Sequence, residues 1–268
     1  MSMTDREFIA KLSRAASTGI IAVTGAADAL GLSSRAAALK LAAMARRGWL
    51  RRARRGLYLI LPLEAEPGRP AVAEDPWLVA REAFSPCYIG GWSAAEHLGL
   101  TEQLFRSTLV MTAAPVRGRT ITLLGHEYRL FRVPQAQVTD IPLVWRGGQQ
   151  IAVSDRERTL LDCLQHPMLA GGIRHLADMM REYGQIPERN FPKLVAEAQQ
   201  RDSGAVWKRL GYLAEVLWPE ESGVAEAAQT RLSAGNIKLD PDVRTKGRLS
   251  RRWRLWINIP VSSEMAQT

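Results

Sequence analysis

The sequence contains little cysteine and histidine and no long apolar run. Its 268 residues include two cysteines, Cys87 and Cys163, and four histidines. So few cysteines argue against a disulfide scaffold and are typical of a reducing compartment. No stretch approaches the roughly 18 apolar residues of a transmembrane helix, and the first residues lack the pattern of a secretory signal peptide. We therefore expect a cytoplasmic protein without a membrane anchor.

Common enzyme motifs are also missing. The chain has no GxxxxGK[ST] loop, no GxGxxG and no HExxH. The histidines have no metal-ligand spacing, and Cys163 with His166 would supply only two ligands, too few for a zinc site. We therefore predict that the protein is not an enzyme and that it has no catalytic residues, no metal and no cofactor.

What the chain does have is a charge imbalance confined to its first quarter. The formal net charge is +9. Residues 1–62 contain eleven Lys/Arg and three Asp/Glu, whereas residues 63–268 contain the remaining 25 and 24. An excess of +8 on one small unit indicates a surface that binds a polyanion.

The same first quarter carries the signals of a small folded domain. Thr4 and Glu7 form a capping box at a helix start, and Ser33 or Ser34 can cap the helix that follows the turn at Gly31. The predicted helices and strands lie at about residues 5–17, 20–23, 24–31, 35–47, 49–53 and 57–61. The joining residues 54–56 supply a glycine for a tight turn. This order of elements predicts a winged helix-turn-helix.

We predict that this domain binds duplex DNA. An α-helix fits the major groove with its first exposed residues on base edges, and basic residues of a hairpin contact the backbone or the minor groove. The predicted DNA-binding residues are Ser33, Ser34, Arg35, Lys40, Arg47, Arg51, Arg52, Arg54 and Arg55. The alternative is a solvated basic face on a domain that binds protein. Which face of residues 57–60 is buried stays open.

A stretch rich in Pro and Glu separates this domain from the rest. We predict a winged helix-turn-helix domain at 1–62, a linker at 63–72 and a C-terminal domain at 73–268. In the C-terminal domain, predicted strands come first and helices follow, which favours an α+β fold with a mixed α/β C-terminal domain. Ser154 and Glu157 are predicted to form a second capping box, and residues 251–259 to form a final strand.

A second basic cluster precedes the C-terminal end. The cluster contains no acid, and its members are Arg244, Lys246, Arg248, Arg251, Arg252 and Arg254. It is a candidate for further phosphate contacts or for an acidic partner. The alternative is a solvated edge strand that its cations protect from aggregation.

Several stretches resemble one family. "YIGGWSAAEHLGLTEQ" (88–103), "VSDRERTLLDCL" (153–164) and "WKRLGYLAEVL" (207–217), with an N-terminal domain ending in "RRGLY", resemble AbiEi, the antitoxin of the AbiE abortive-infection system. The order and spacing of these pieces match from about residue 5 to 220.

The resemblance implies a type IV toxin–antitoxin role in phage defence. It implies an N-terminal domain that represses its own operon at inverted repeats. It also implies a C-terminal domain that counteracts a nucleotidyltransferase-like toxin, without need of a stable complex. The roles carried over concern only the DNA-binding domain, at Ser33, Ser34, Arg35, Lys40, Arg51, Arg52, Arg54 and Arg55.

Two other functions stay open from the residues alone. One is a winged-helix regulator whose C-terminal domain senses a small ligand. The other is a nuclease or nucleotide-processing enzyme that uses Asp155 or Asp162.

Overall fold

The computed structural model describes residues 4–16, 19–61, 75–116 and 118–262. The chain divides into two compact units, Met1–Ile89 with Arg106–Val153, and Gly90–Phe105 with Ser154–Thr268. The predicted linker at 63–72 lies outside the described residues, so the predicted domain boundaries stay predictions. Among the described helices, none combines the length and the apolar character needed to cross a membrane.

Residues 4–61, which we call the N-terminal module, combine helices with a small antiparallel sheet. Its elements are α1 (Asp5–Ala15), β1 (Ile20–Ala22), α2 (Val23–Leu30), α3 (Ser34–Arg46), β2 (Leu50–Arg54) and β3 (Leu57–Ile60). The strand order is β1-β3-β2. All six predicted elements are present, and the predicted capping box of Thr4 and Glu7 is confirmed at the start of α1.

The central strand β3 is buried on both faces. Tyr58 belongs to the core that the three helices form, whereas Leu57 and Leu59, which are also buried, point to the opposite face of the strand. On that opposite side, helix α4 (Pro76–Phe84) lies against β1. The sequence left open which face of residues 57–60 is buried. Both faces are buried, because a central strand covered on both sides buries consecutive residues.

The rest of the first unit is built around a mixed four-stranded sheet. Its strands are β4 (Cys87–Ile89), β5 (Ser107–Thr112), β6 (Thr120–Leu123) and β7 (His126–Arg132), in the order β4-β5-β7-β6 with β5 and β7 parallel. A hairpin of β8 (Leu143–Arg146) and β9 (Gln149–Ala152) follows. Asp75 caps α4 and Pro76 occupies its first turn.

The second unit is mainly helical and ends in a small sheet. Its helices are α5 (Gly91–His97), α6 (Arg156–Gln165), α7 (Ile173–Gln185), α8 (Phe191–Gln200), α9 (Gly204–Leu217) and α10 (Ser222–Gln229). Its strands are β10 (Ile237–Lys238), β11 (Arg248–Ser250) and β12 (Leu255–Ile257), in the order β10-β12-β11. Helices and strands in both units make this an α+β chain.

Two local predictions for the second unit need correction. The predicted final strand at 251–259 is present only as β12, since residues 251–254 form a turn that places the buried Trp253 ring against Gly211 of α9. At α6 the cap is Asp155, which accepts a hydrogen bond from the Arg158 backbone amide. The buried Glu157 instead accepts hydrogen bonds from side chains of α7 and α8.

The contact between Gly211 and Trp253 gives a stability test. A Cβ at position 211 would lie 2.0 Å from the Trp253 ring. We expect Gly211→Ala to lower the free energy of unfolding by about 1–3 kcal/mol through overpacking. The matched control is Gly223→Ala, where a Cβ has nothing within 4 Å and should be neutral or slightly stabilising. Urea unfolding followed by tryptophan fluorescence measures both. Equal midpoints would contradict the proposed packing.

Candidate nucleic-acid interface

A tight connection places α3 directly after α2. Helix α2 ends at Gly31, whose positive φ of 61° suits glycine. The Leu32 amide donates back to the Ala27 carbonyl, and Ser33 then caps α3 by accepting a hydrogen bond from the Ala36 amide at 3.3 Å. Only three residues, 31–33, separate the two helices, and α3 therefore has a fixed direction relative to α2.

One face of α3 points to solvent. Ala37, Leu41 and Met44 form its buried stripe. At about 100° per residue, Arg35, Leu39 and Arg46 lie on the opposite side of the helix. All three are exposed, and we call them the outer face of α3. The predicted DNA-binding set includes Arg35 of this face but does not include its exposed neighbours Leu39 and Arg46. The spacing from the buried stripe was the signal that could have identified them.

Lys40 and Arg47, two other residues predicted to bind DNA, contact residues of α1. Lys40 Nζ lies 5.7 Å from the centre of the Phe8 ring. An Arg47 guanidinium nitrogen (Nη1) lies 2.6 Å from a carboxylate oxygen of Asp5. Both side chains remain exposed at the edge of α3 nearest α1. Arg47 would have to share its charge between Asp5 and any anionic ligand.

The hairpin places its arginines on two different faces. Arg51 is paired with Leu59, and Arg52 is paired with Tyr58. Cross-strand partners share a face, so Arg52 lies on the helix side of the sheet and Arg51 on the other. A register shift between Arg52 and Arg54 pairs Arg54 with Leu57, which returns Arg54 to the same face as Arg51.

The tip of the hairpin is shorter than predicted. Arg54 is the last residue of β2, so the turn consists of Arg55 and Gly56, and Gly56 has a φ of 83°. The Arg54 guanidinium lies 5.2 Å from the centre of the Phe84 ring. Its partial burial lowers the pKa of Arg54 from the ordinary value, although an arginine stays protonated at neutral pH. Arg55 is exposed at the tip itself.

Comparison with known proteins finds one family model that resembles this module. Residues 7–60 match a family model described as "Transcriptional regulator, AbiEi antitoxin". This part of the N-terminal module is therefore similar to AbiEi antitoxins. The resemblance inferred from the sequence is thus confirmed over residues 7–60, which we call the AbiEi module, and for later residues it stays a prediction.

A solved structure has a similar fold. It is the crystal structure of the RV2827C protein from Mycobacterium tuberculosis, with a TM-score of 0.55 and 15% sequence identity. The match covers 92% of this chain and 90% of that chain. At this level of identity the likeness concerns the fold alone. No curated protein matches the chain.

The second basic cluster lies far along the chain from the AbiEi module, and its six cations are all exposed. Two of them bind acceptors of the second unit: Arg252 forms an ion pair with Glu215 at 3.1 Å, and Arg254 donates to the Ser233 carbonyl. Lys246 Nζ lies 4.0 Å from the centre of the Trp256 ring. The stretch itself contains no acid, but α9 brings Glu215 to it in the folded chain.

The carboxylates that the enzymatic alternative would use form ion pairs within the second unit. Lys193 Nζ lies 2.7 Å from Asp155 and 2.9 Å from Glu157, and the buried Asp162 pairs with Arg201 at 2.6 Å. No group of three or more potential metal ligands occurs within the described part of the chain. These contacts link α6 to both ends of α8, so each carboxylate has a structural partner.

Neither cysteine has the properties of a nucleophile. Burial raises the pKa of the Cys87 thiol to about 12. Complete burial also raises the pKa of Cys163 well above its ordinary value. Both thiols therefore stay protonated at neutral pH, whereas a reactive cysteine needs an accessible thiolate.

The two serines before α3 have separate roles that a stability measurement can distinguish. Ser33→Ala removes the cap of α3 and should reduce stability by about 1 kcal/mol. Ser34→Ala changes the first helical residue, where alanine is favourable, so it should change stability by less than about 0.5 kcal/mol. Hydrogen exchange of the α3 amides in the full chain measures the effect. Equal protection in both variants would contradict the capping role.

Proposed function

We propose that the protein is a DNA-binding transcriptional autorepressor and the antitoxin of a type IV toxin–antitoxin system. In this proposal the AbiEi module is a winged helix-turn-helix. Helices α2 and α3 are the helix-turn-helix, α3 is the recognition helix, and the β2–β3 hairpin is the wing. The observation that carries the proposal is the exposed outer face of α3 with Arg35 and Arg46, within residues 7–60 that match AbiEi regulators.

The dimensions of α3 fit this role. Arg35 lies in its first turn and Arg46 is its last residue, so the two lie roughly 16 Å apart along the axis. The major groove is about 12 Å wide, with phosphates at its edges and base edges on its floor. With Arg35 on a base edge, Arg46 would reach the phosphates on the far side of the groove. Ser34 and the Ser33 backbone then lie beside the phosphates near the helix start.

Because the wing arginines lie on two faces of the hairpin, we assign them different roles. Arg52 lies on the sheet face that packs on the helices, and Arg55 lies at the tip. These two are placed to contact the phosphates or minor groove flanking α3. Arg51 and Arg54 lie on the other face, and Arg54 already packs on Phe84. We therefore assign them a smaller contribution, mainly through the overall positive field.

The toxin-related part of the proposal is supported by the family match and the sequence resemblance. The partners proposed are duplex DNA with inverted repeats and a nucleotidyltransferase-like toxin encoded nearby, counteracted without a stable complex. The proposed site of action is the cytoplasm. The contacts of Asp155, Glu157 and Asp162 support a binding role over an enzymatic one, because Asp155 and Glu157 share Lys193 and Asp162 pairs with Arg201.

The hairpin supplies a matched pair for testing DNA binding. Arg52→Ala should weaken binding to the DNA upstream of the gene and reduce the slope of log affinity against log salt by about 1, since one phosphate contact is lost. Arg51→Ala removes the same charge one residue earlier and should change the slope by less. Fluorescence anisotropy over a salt series measures both. Equal losses would contradict the assigned faces, and absent binding by the wild type would contradict the function.

The antitoxin role is tested separately from repression. The full chain and its Arg35→Ala/Arg52→Ala variant are each expressed from an unrelated promoter together with the neighbouring toxin gene. We expect both to restore growth, because neutralisation is assigned to the C-terminal domain rather than to the DNA-binding surface. Growth arrest with both proteins, at equal protein levels, would exclude the antitoxin role.

A further inference from the structure

Leu39 occupies the centre of the outer face of α3. It lies about 160–200° around the helix from the buried residues Ala37 and Leu41, and its side chain is 66% exposed. Among the described residues of the N-terminal module, Leu39 is the only large hydrophobic residue that is exposed. Leu39 therefore contributes little to the core of the module.

Exposure alone would not distinguish Leu39, because single exposed leucines are common. Its surroundings do distinguish it. Arg35 lies one turn before Leu39 and Arg46 two turns after it, and both are exposed. The residues that follow on the same side are Ala42 and Ala43, whose side chains are too small to shield it. Leu39 is thus an apolar projection from a convex surface with a cation on each side.

A ligand complementary to this surface would have a groove with negatively charged edges and an apolar group on the floor of the groove. The DNA major groove has both, since its edges are phosphates and each thymine presents a C5-methyl group on the floor. We propose that Leu39 is a specificity-determining residue that packs against the C5-methyl of a thymine. This proposal rests on the proposed function of α3 as the recognition helix.

The direction of the side chain locates the thymine. Long side chains on a helix lean towards its N-terminus, over the preceding turn. Leu39 therefore reaches towards the same part of the groove as Arg35, whose Cβ lies roughly 6 Å away along the helix. The thymine should accordingly lie within one or two base pairs of the base that Arg35 contacts.

The test removes the methyl group alone. Duplexes are first selected from a random-sequence library by the wild-type full chain, and each thymine of a selected site is then replaced by deoxyuridine. Deoxyuridine keeps the base-pairing groups and lacks only the C5-methyl. At one position per half-site, we expect the wild type to lose about fourfold in affinity, the effect of one buried methyl. Leu39→Ala should lose little at that position.

Leu39→Met is the control variant, since it keeps an apolar side chain of similar reach and should keep the dependence on the methyl group. No substitution changes charge, so the salt dependence of binding should be the same for all three proteins. If the wild type and Leu39→Ala respond equally at every thymine, the proposal is wrong while the proposed function stands. If no duplex is selected, both fail.

One further outcome would indicate that Leu39 contacts a second copy of this chain rather than DNA. If Leu39→Ala lowers the molecular mass of the free protein in sedimentation, the leucine lies in an interface between copies of this chain. That result overturns the proposal even where DNA binding is retained. An unchanged mass, together with the loss of methyl dependence, supports the thymine contact.

Discussion

The central position of β3 is the constraint on which the proposed DNA-binding surface depends. Tyr58 joins the core of the three helices, whereas Leu57 and Leu59 are buried on the opposite face. Because β3 is covered on both sides, the hairpin cannot rotate or shift its register without exposing one of these sets. The pairing of β2 with this strand then decides which arginines share a side with α3.

Charge is therefore a poor guide to this surface unless its geometry is considered. Arg47 pairs with Asp5, Lys40 lies over Phe8, and Arg54 lies over Phe84. Exposed ion pairs and cation–aromatic contacts are each weak, of the order of 1 kcal/mol or less. Such contacts orient a side chain without removing its charge. These cations can still raise the local potential, while the outer face of α3 and Arg55 at the turn are exposed to solvent.

Local patterns predicted much of the fold. The capping box at Thr4, the glycine after α2 and the buried stripe of α3 all depend on residues within a few positions of one another, and the six elements of the N-terminal module followed from them. The errors involve distant partners. Glu157 has the spacing of a capping residue, yet it accepts hydrogen bonds from Tyr183 and Lys193 of two other helices. Trp253 has the alternation of a strand residue, yet its ring packs on Gly211.

The sequence by itself determined the elements of the N-terminal module, its concentration of positive charge and its family resemblance. Helix periodicity, capping and composition are properties of neighbouring residues. Only the tertiary structure decided which cations face the same way, because the pairing of β1 with β3 and the packing of α4 involve residues far apart in the chain. The register shift after Arg52 lies within the hairpin and is defined by the pairing of Arg54 with Leu57. It also decided that Glu215 enters the second basic cluster. Long-range packing thus converts a basic sequence into a surface with particular contacts.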